Sequence, residues 1–250
     1  MDFSSASVRS HLLFSPTSER PQTLRAHRVC VTLGVVACFA GLGYCLLQEF
    51  AEYNGLKMAA KPIPALFMGL ISWVYSVDSE KTWRVIFLSA FVMCALGDFL
   101  LQNEAEDWFM YGLGAFFVAH ALFLASFSYK MAKLELLKLA PFLIFAACGL
   151  RVILAYAKSN HGAIVCYVFI EALAGWRAVA RVHNVSGERS TAQWLGVVGM
   201  TLFMISDCFL AINRFVVHIP FSSWLILPTY WGALACLTKS ARRLKMAYVN

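Results

Sequence analysis

The chain reads as an all-α, polytopic membrane protein: a bundle of eight transmembrane helices with both termini in the cytosol. Three observations lead there. Hydrophobic residues make up 60% of the 250 and charged residues only 14%, with a mean hydropathy of +0.66, whereas a soluble domain carries charge on about a quarter of its residues. Eight segments approach the roughly 20 apolar residues a helix needs to cross a hydrocarbon layer about 30 Å thick. Basic residues are also divided unevenly between the two sides that the connections alternate across.

Taken in order, residues 1–27 are polar, rich in Ser and Arg, and contain Pro16 and Pro21, the composition of a disordered cytosolic tail. They lack the short apolar core near the start that marks a secretory signal. The transmembrane domain then occupies residues 28–240. Its spans are expected at Arg28–Gln48, Lys57–Tyr75, Trp83–Gln102, Trp108–Tyr129, Leu139–Ala157, Gly162–Ala180, Ala192–Ile212 and Phe221–Thr238. Residues 241–250 form a basic C-terminal tail. The connections are too short to hold a second domain, so any chemistry belongs to the helices themselves.

With the N-terminus in the cytosol, 16 of the 21 Lys and Arg fall on the cytosolic side, among them Arg9, Arg28, Lys81, Lys130, Arg177, Arg189 and Lys245. Lys57, Lys61, Arg151, Lys158 and Arg214 go to the far side, where the connection Asn103–Asp107 is purely acidic. That asymmetry supports an even number of spans. The net charge of +7 is therefore a topology signal with attraction to anionic membrane lipid, and not a nucleic-acid footprint. All eight cysteines lie in predicted spans without a CxxC pair, which suits small buried hydrophobes and implies no metal or cofactor.

Two carboxylates stand out against this background. Asp98, in Ala95-Leu96-Gly97-Asp98-Phe99, and Asp207, in Ile205-Ser206-Asp207-Cys208-Phe209, interrupt the third and seventh spans. A charge at a membrane helix centre costs roughly 2.5–3.5 kcal/mol on insertion scales, so intramembrane acids are functional by default. Both helices run from cytosol to far side, and each Asp lies about five residues before its helix ends, roughly 7 Å below the far interface at 1.5 Å per residue. The short match between Gly97-Asp98-Phe99-Leu100 and Ser206-Asp207-Cys208-Phe209-Leu210 also hints at a parallel repeat of four spans. Lys61 enters the second span to nearly the same level, and Arg214, seven residues past Asp207, lies on the same face two turns nearer water. A carboxylate pair, an ammonium and a guanidinium thus converge on one end of the bundle.

Several of these residues have two readings. Asp98 and Lys61 also suit a structural ion pair. Arg214 and Lys57 also suit snorkelling to headgroups. His120, near mid-span in Val118-Ala119-His120-Ala121, is either a packing residue or a proton relay. Glu171 and Arg151 read as compensated structural charges. Tyr230, in Pro228-Thr229-Tyr230-Trp231, is the aromatic residue singled out for the site rather than the interface belt.

Gly97-Asp98, Ala119-His120, Gly175-Trp176-Arg177, Ile205-Ser206-Asp207 with Asn213-Arg214-Phe215, and Thr229-Tyr230 resemble, in order and spacing, the YhhN-like transmembrane protein 86 family of lysoplasmalogenases. Lys61 and Pro64 fit the same pattern, and the similarity runs from about Lys57 to Ala241. The chain departs from the family pattern at Trp231 and Leu234, where a Tyr and a Gln are usual, and at Glu171, where the usual residue is apolar.

The resemblance implies an integral membrane hydrolase, in the endoplasmic reticulum, that cleaves the vinyl ether of lysoplasmalogens to a fatty aldehyde and a glycerophospho-choline or glycerophospho-ethanolamine. It implies catalytic Asp98 and Asp207, supported by Lys61, His120, Asn213, Arg214 and Tyr230, with no cofactor. Vinyl ether hydrolysis begins with proton transfer to the alkene carbon and passes through an oxocarbenium ion, so it needs one acid and one anion. Two close carboxylates do not both ionise readily, which supplies that combination, as in glycosidases. Which aspartate is the acid stays open, since Lys61 beside either would hold it ionised. Arg214 or Lys61 would take the phosphate and Tyr230 or Trp231 the headgroup ammonium. The competing function is a proton-coupled transporter, whose helices would be broken near mid-membrane, whereas the prolines Pro62 and Pro64 lie near one helix end. A monomer and a homodimer are equally compatible with the chain. The sequon Asn184-Val185-Ser186 falls in a connection placed in the cytosol, where it would stay unglycosylated.

Overall fold

The computed structural model describes residues 19–47, 54–103, 106–185 and 190–241. The expected tail up to residue 18, nearly all of the basic C-terminal tail, Arg189 and part of the acidic connection lie outside the described residues. Among the described residues the regular structure is helical: α1 (Glu19–Leu47), α2 (Asn54–Ala60), α3 (Ile63–Tyr75), α4 (Lys81–Leu100), α5 (Glu106–Ser128), α6 (Ala140–Tyr156), α7 (His161–Arg181), α8 (Ser190–Ala211) and α9 (Ser223–Ser240). Backbone amides without water partners must be bonded within their own segment, and helices do this for an apolar chain. Seven helical stretches are long and apolar enough to cross a membrane. The eighth, α9, is 18 residues long and contains Pro228.

Packing follows a closed ring. α3 packs on α4, α4 on α5, α5 on α7, α7 on α8, α8 on α9, and α9 returns to α3. α1 lies outside the ring against α3, and α6 lies outside against α7. The outward surfaces carry Phe39, Leu42, Ile144, Val152 and Trp194, all exposed, as a bilayer would require. Between α4 and α5 the interior is a ladder of rings, Trp83 stacked on Phe87 at 4.6 Å and Phe87 edge-on to Phe123 at 5.6 Å.

Three local features depart from uniform helix. The expected second span is broken at Lys61 and Pro62 into α2 and α3, because Pro62 has no amide hydrogen to continue the ladder. α8 ends in a π-helical turn over Ile212–Val216, which shifts Arg214 and Phe215 off the regular helical register. α1 begins at Glu19, inside the stretch read as a tail, with Pro21 in its first turn, where a proline is tolerated. Inside α9, the carbonyls loosened by Pro228 are met by side chains: Thr229 Oγ1 donates to Leu225 at 2.7 Å and Ser206 Oγ donates across from α8 to Ile226 at 3.1 Å.

The C-terminal ends of α5 and α7 are stapled by buried arginines. Arg177 donates to Ser128 Oγ and to the Lys133 carbonyl at 3.0 Å each, and Arg181 donates to the Phe127 and Tyr129 carbonyls at 3.0 and 3.1 Å. Trp176 Nε1 donates to the Glu135 carbonyl at 3.0 Å. The Gly175-Trp176-Arg177 motif is therefore an anchor for the connection between α5 and α6, well away from the aspartates. Asn184 is similarly engaged, donating to Glu135 Oε1 and to the Ala180 carbonyl.

Candidate active site

Five of the six ring helices turn a polar group inward. Asp98 comes from α4, His120 from α5, Tyr167 and Glu171 from α7, Asp207 from α8 and Tyr230 from α9, while Lys61 enters from the break before α3. The helical period explains the α7 pair, because residues four apart share a face.

Asp207 sits at the centre. Its Oδ2 accepts the Tyr167 hydroxyl at 2.5 Å and lies 3.5 Å from His120 Nε2. His120 Nε2 in turn lies 3.2 Å from the Tyr167 oxygen. Since the phenol donates to the carboxylate, its oxygen is free to accept from the imidazole, which places the imidazole hydrogen on Nε2. The Glu171 carboxyl faces that of Asp207, with oxygens of the two within 4.8 Å of each other. Glu171 is 5% exposed and its Oε1 has no protein partner.

Asp98 occupies a second station. It is 2% exposed, accepts the Tyr230 hydroxyl at 2.8 Å, and lies close enough to Lys61 and Asp207 to feel both charges. A file of rings separates the stations: His120 lies edge-on to Phe203 at 4.6 Å, and Phe203 to Tyr230 at 5.3 Å. Asp98 is not part of the tight cluster in which ligand atoms of His120, Glu171 and Asp207 all come within 4.8 Å of one another. Those three side chains are the donor set among the described residues that could hold a cation.

Asp207 and Glu171 open onto a narrow cleft of about 60 Å³ between α5, α6, α7 and α8. Its other walls are apolar, including Leu113, Phe116, Phe145, Gly149, Ile164 and Phe215. Phe145 of the peripheral α6 is also exposed on the outer surface, so the cleft borders the face where lipid would lie. A wider hollow of about 240 Å³, containing Arg214 and Lys158, adjoins it and shares Phe109 and Phe215 as walls.

The residues expected from sequence thus divide by place. Asp207, His120 and, through α9, Tyr230 with Asp98 line one interior; Lys61 is coupled to Asp98; Arg214 stands at the outer hollow with its guanidinium 4.7 Å from the Phe109 ring. Tyr230 is buried against Asp98, so it faces the carboxylate and not a headgroup at the surface. Asn213 Oδ1 accepts the Ile219 amide at 2.8 Å and closes the turn after α8. Sequence reasoning missed Tyr167 altogether and took Glu171 for a compensated structural charge. Their four-residue spacing on an apolar helix was the signal available.

Comparison with known proteins gives the family. Residues 56–241 match the YhhN family profile. The chain belongs to the YhhN family. Similar proteins include lysoplasmalogenase TMEM86B of Homo sapiens, 26% identical over 233 residues, which cover 89% of this chain and 94% of that protein. Lysoplasmalogenase TMEM86A of Bos taurus is 28% identical over 153 residues, 60% of this chain and 62% of its own length, so that alignment spans less than two thirds of the relative. A lysoplasmalogenase of Mycobacterium tuberculosis is 26% identical over 227 residues, covering 80% of this chain and 79% of that protein. No solved structure matches the chain significantly.

Proposed function

We propose that this YhhN-family chain is a membrane hydrolase that cleaves the vinyl ether of lysoplasmalogens, in the endoplasmic reticulum, with Asp207 and Asp98 as its essential carboxyl groups. The observation that carries the reading is the Asp207 carboxyl group, held by Tyr167 and His120 at the wall of an apolar cleft that borders the lipid-facing surface. The names of the relatives support the same substrate class.

In this mechanism Lys61 balances the charge of Asp98, and Asp207, the aspartate that lines the cleft, is the acid. With an alkenyl chain in the cleft, Asp207 delivers that proton to the alkene carbon remote from the ether oxygen. A C–H bond forms as the O–H bond breaks, and the ether becomes an oxocarbenium ion. The carboxylate left behind and the field of Asp98 stabilise the cation. Water then adds to the cationic carbon and gives a proton to the Asp207 carboxylate, forming a hemiacetal. Collapse returns that proton to the glycerol oxygen as its bond to carbon breaks, and the hemiacetal hydroxyl proton restores Asp207 to the acid. The proton count closes and one water is consumed. Tyr167 and His120 hold the Asp207 carboxyl in place throughout.

Purified protein in detergent should release aldehyde from an alkenyl lysophospholipid and leave the corresponding ester lysophospholipid intact. Asp207→Asn should lower turnover by about 10²–10⁴-fold, the usual contribution of a general acid–base group, with Asp98→Asn also strongly impaired. Equal cleavage of both lipids, or full activity in both variants, would overturn the assignment.

A further inference from the structure

We propose that the hollow beside the cleft is a binding site for a phosphodiester, with Arg214 and Lys158 as its paired cationic ligands, and that it holds the headgroup of the lysolipid whose chain occupies the cleft. The inference rests on the hydrolase reading for its substrate but not for its chemistry.

Four observations converge. Arg214, on the π-helical turn after α8, and Lys158, in the connection between α6 and α7, come from segments more than fifty positions apart and line the same hollow of about 240 Å³. Among the described residues no acidic side chain lines it and neither cation belongs to an ion pair. Arg214 instead lays its guanidinium against Phe109, which orients the planar group and leaves its N–H fork available, the geometry that suits a phosphate. Asn160, whose φ of 60° turns the chain into α7, also lines the hollow, and its side chain does not cap that helix. The positive end of the α7 dipole therefore faces the same space as the two cations.

Position decides what kind of phosphate. Phe109 and Phe215 wall both the hollow and the cleft, so an occupant of one continues into the other. Asp207 and Arg214 are seven residues apart along α8 and its terminal turn, an axial distance of about 10 Å. A glycerol backbone bridges that interval, with a chain on the apolar side and a phosphodiester on the cationic side. Free inorganic phosphate would satisfy the cations but leave the shared apolar wall unused.

The test is equilibrium binding of an uncleavable saturated analogue, 1-alkyl-glycerophosphocholine, to the purified full-length protein in detergent. 1-Alkylglycerol, which lacks the phosphate, and inorganic phosphate serve as comparisons. The Arg214→Gln/Lys158→Gln variant should raise Kd for the phospholipid about tenfold or more and leave Kd for 1-alkylglycerol unchanged; inorganic phosphate should bind far more weakly than the lipid. Arg214→Lys, which keeps the charge, should recover part of the affinity. Equal loss for both lipids, or no loss for either, would overturn the site, as would tight binding of inorganic phosphate alone. Aldehyde release is read separately on the same preparations. A wild-type protein that cleaves the alkenyl lipid while the double variant binds normally defeats the headgroup site alone. One that binds through the cations but releases no aldehyde defeats the hydrolase reading alone.

Discussion

The Tyr167 hydroxyl is the hinge of the interior at the scale of single residues. It touches both His120 and Asp207, and no other described side chain contacts the pair in that way. Tyr167→Phe keeps the ring in the cleft wall and deletes only the bridge. A hydrogen bond to a charged acceptor is worth about 1.5–3 kcal/mol, so turnover should fall by about ten- to a hundredfold in initial rates of aldehyde release, with KM little changed. Glu171 should behave differently. It lies beside Asp207 at the cleft wall but carries no step of the mechanism. Glu171→Leu should keep turnover within about tenfold of the parent, whereas Asp207→Asn should lose about 10²–10⁴-fold. A Glu171→Leu protein as inactive as Asp207→Asn would make Glu171 the acid itself. These residues also show where sequence reading stopped. Asp98 and Asp207 were legible because a carboxylate in an apolar span is an energetic anomaly visible in one dimension. The facing of Glu171 on Asp207 was not, because it depends on how α7 and α8 approach, and periodicity within one helix says nothing about rotation between two.

At the scale of elements, the contact between α4 and α5 sets the station of Asp98. A Cβ on Gly97 would lie 2.5 Å from Phe116 Cε2, and Phe116 meets Phe203 and Tyr230 edge-on at 6.0 and 5.9 Å. The glycine before Asp98 is thus what lets α5 close on the ring file beneath the site. Gly97→Ala should gain up to about 1 kcal/mol of helix propensity and lose about 1–3 kcal/mol to overpacking, so thermal unfolding in detergent should shift downward. Activity should fall with it, since the displaced Phe116 ring bears on Tyr230 and so on Asp98. The helices themselves were legible, with ends within a few residues except at α1. The break at Lys61 and Pro62 and the π-helical turn of α8 were not. Pro62 near an expected helix end reads equally well as a first-turn proline, and a π turn depends on what its side chains meet, which here is the hollow around Arg214.

At the scale of the whole molecule, the ring of six helices buries the polar interior and leaves α6 outside it, touching chiefly α7. That placement makes α6 the outer wall of the cleft, and a single-chain lipid reaching Asp207 from the bilayer would pass along it. Gly149 lies on α6, lines the cleft, and has no heavy atom within 4 Å of where its Cβ would be. A larger side chain there would occupy the path of the alkyl chain without colliding with the fold. Replacing a mid-helix glycine also removes a helix penalty of about 0.8–1.0 kcal/mol relative to alanine, part of which phenylalanine would recover. Gly149→Phe should therefore unfold at the same temperature as the parent or slightly higher. At the same time KM for a long-chain alkenyl lysolipid should rise severalfold, and a short-chain analogue with the same headgroup should be less affected. A protein blocked from outside the ring would show that chain-length dependence. Entry through the opposite face, between α3 and α9, would leave both substrates unchanged.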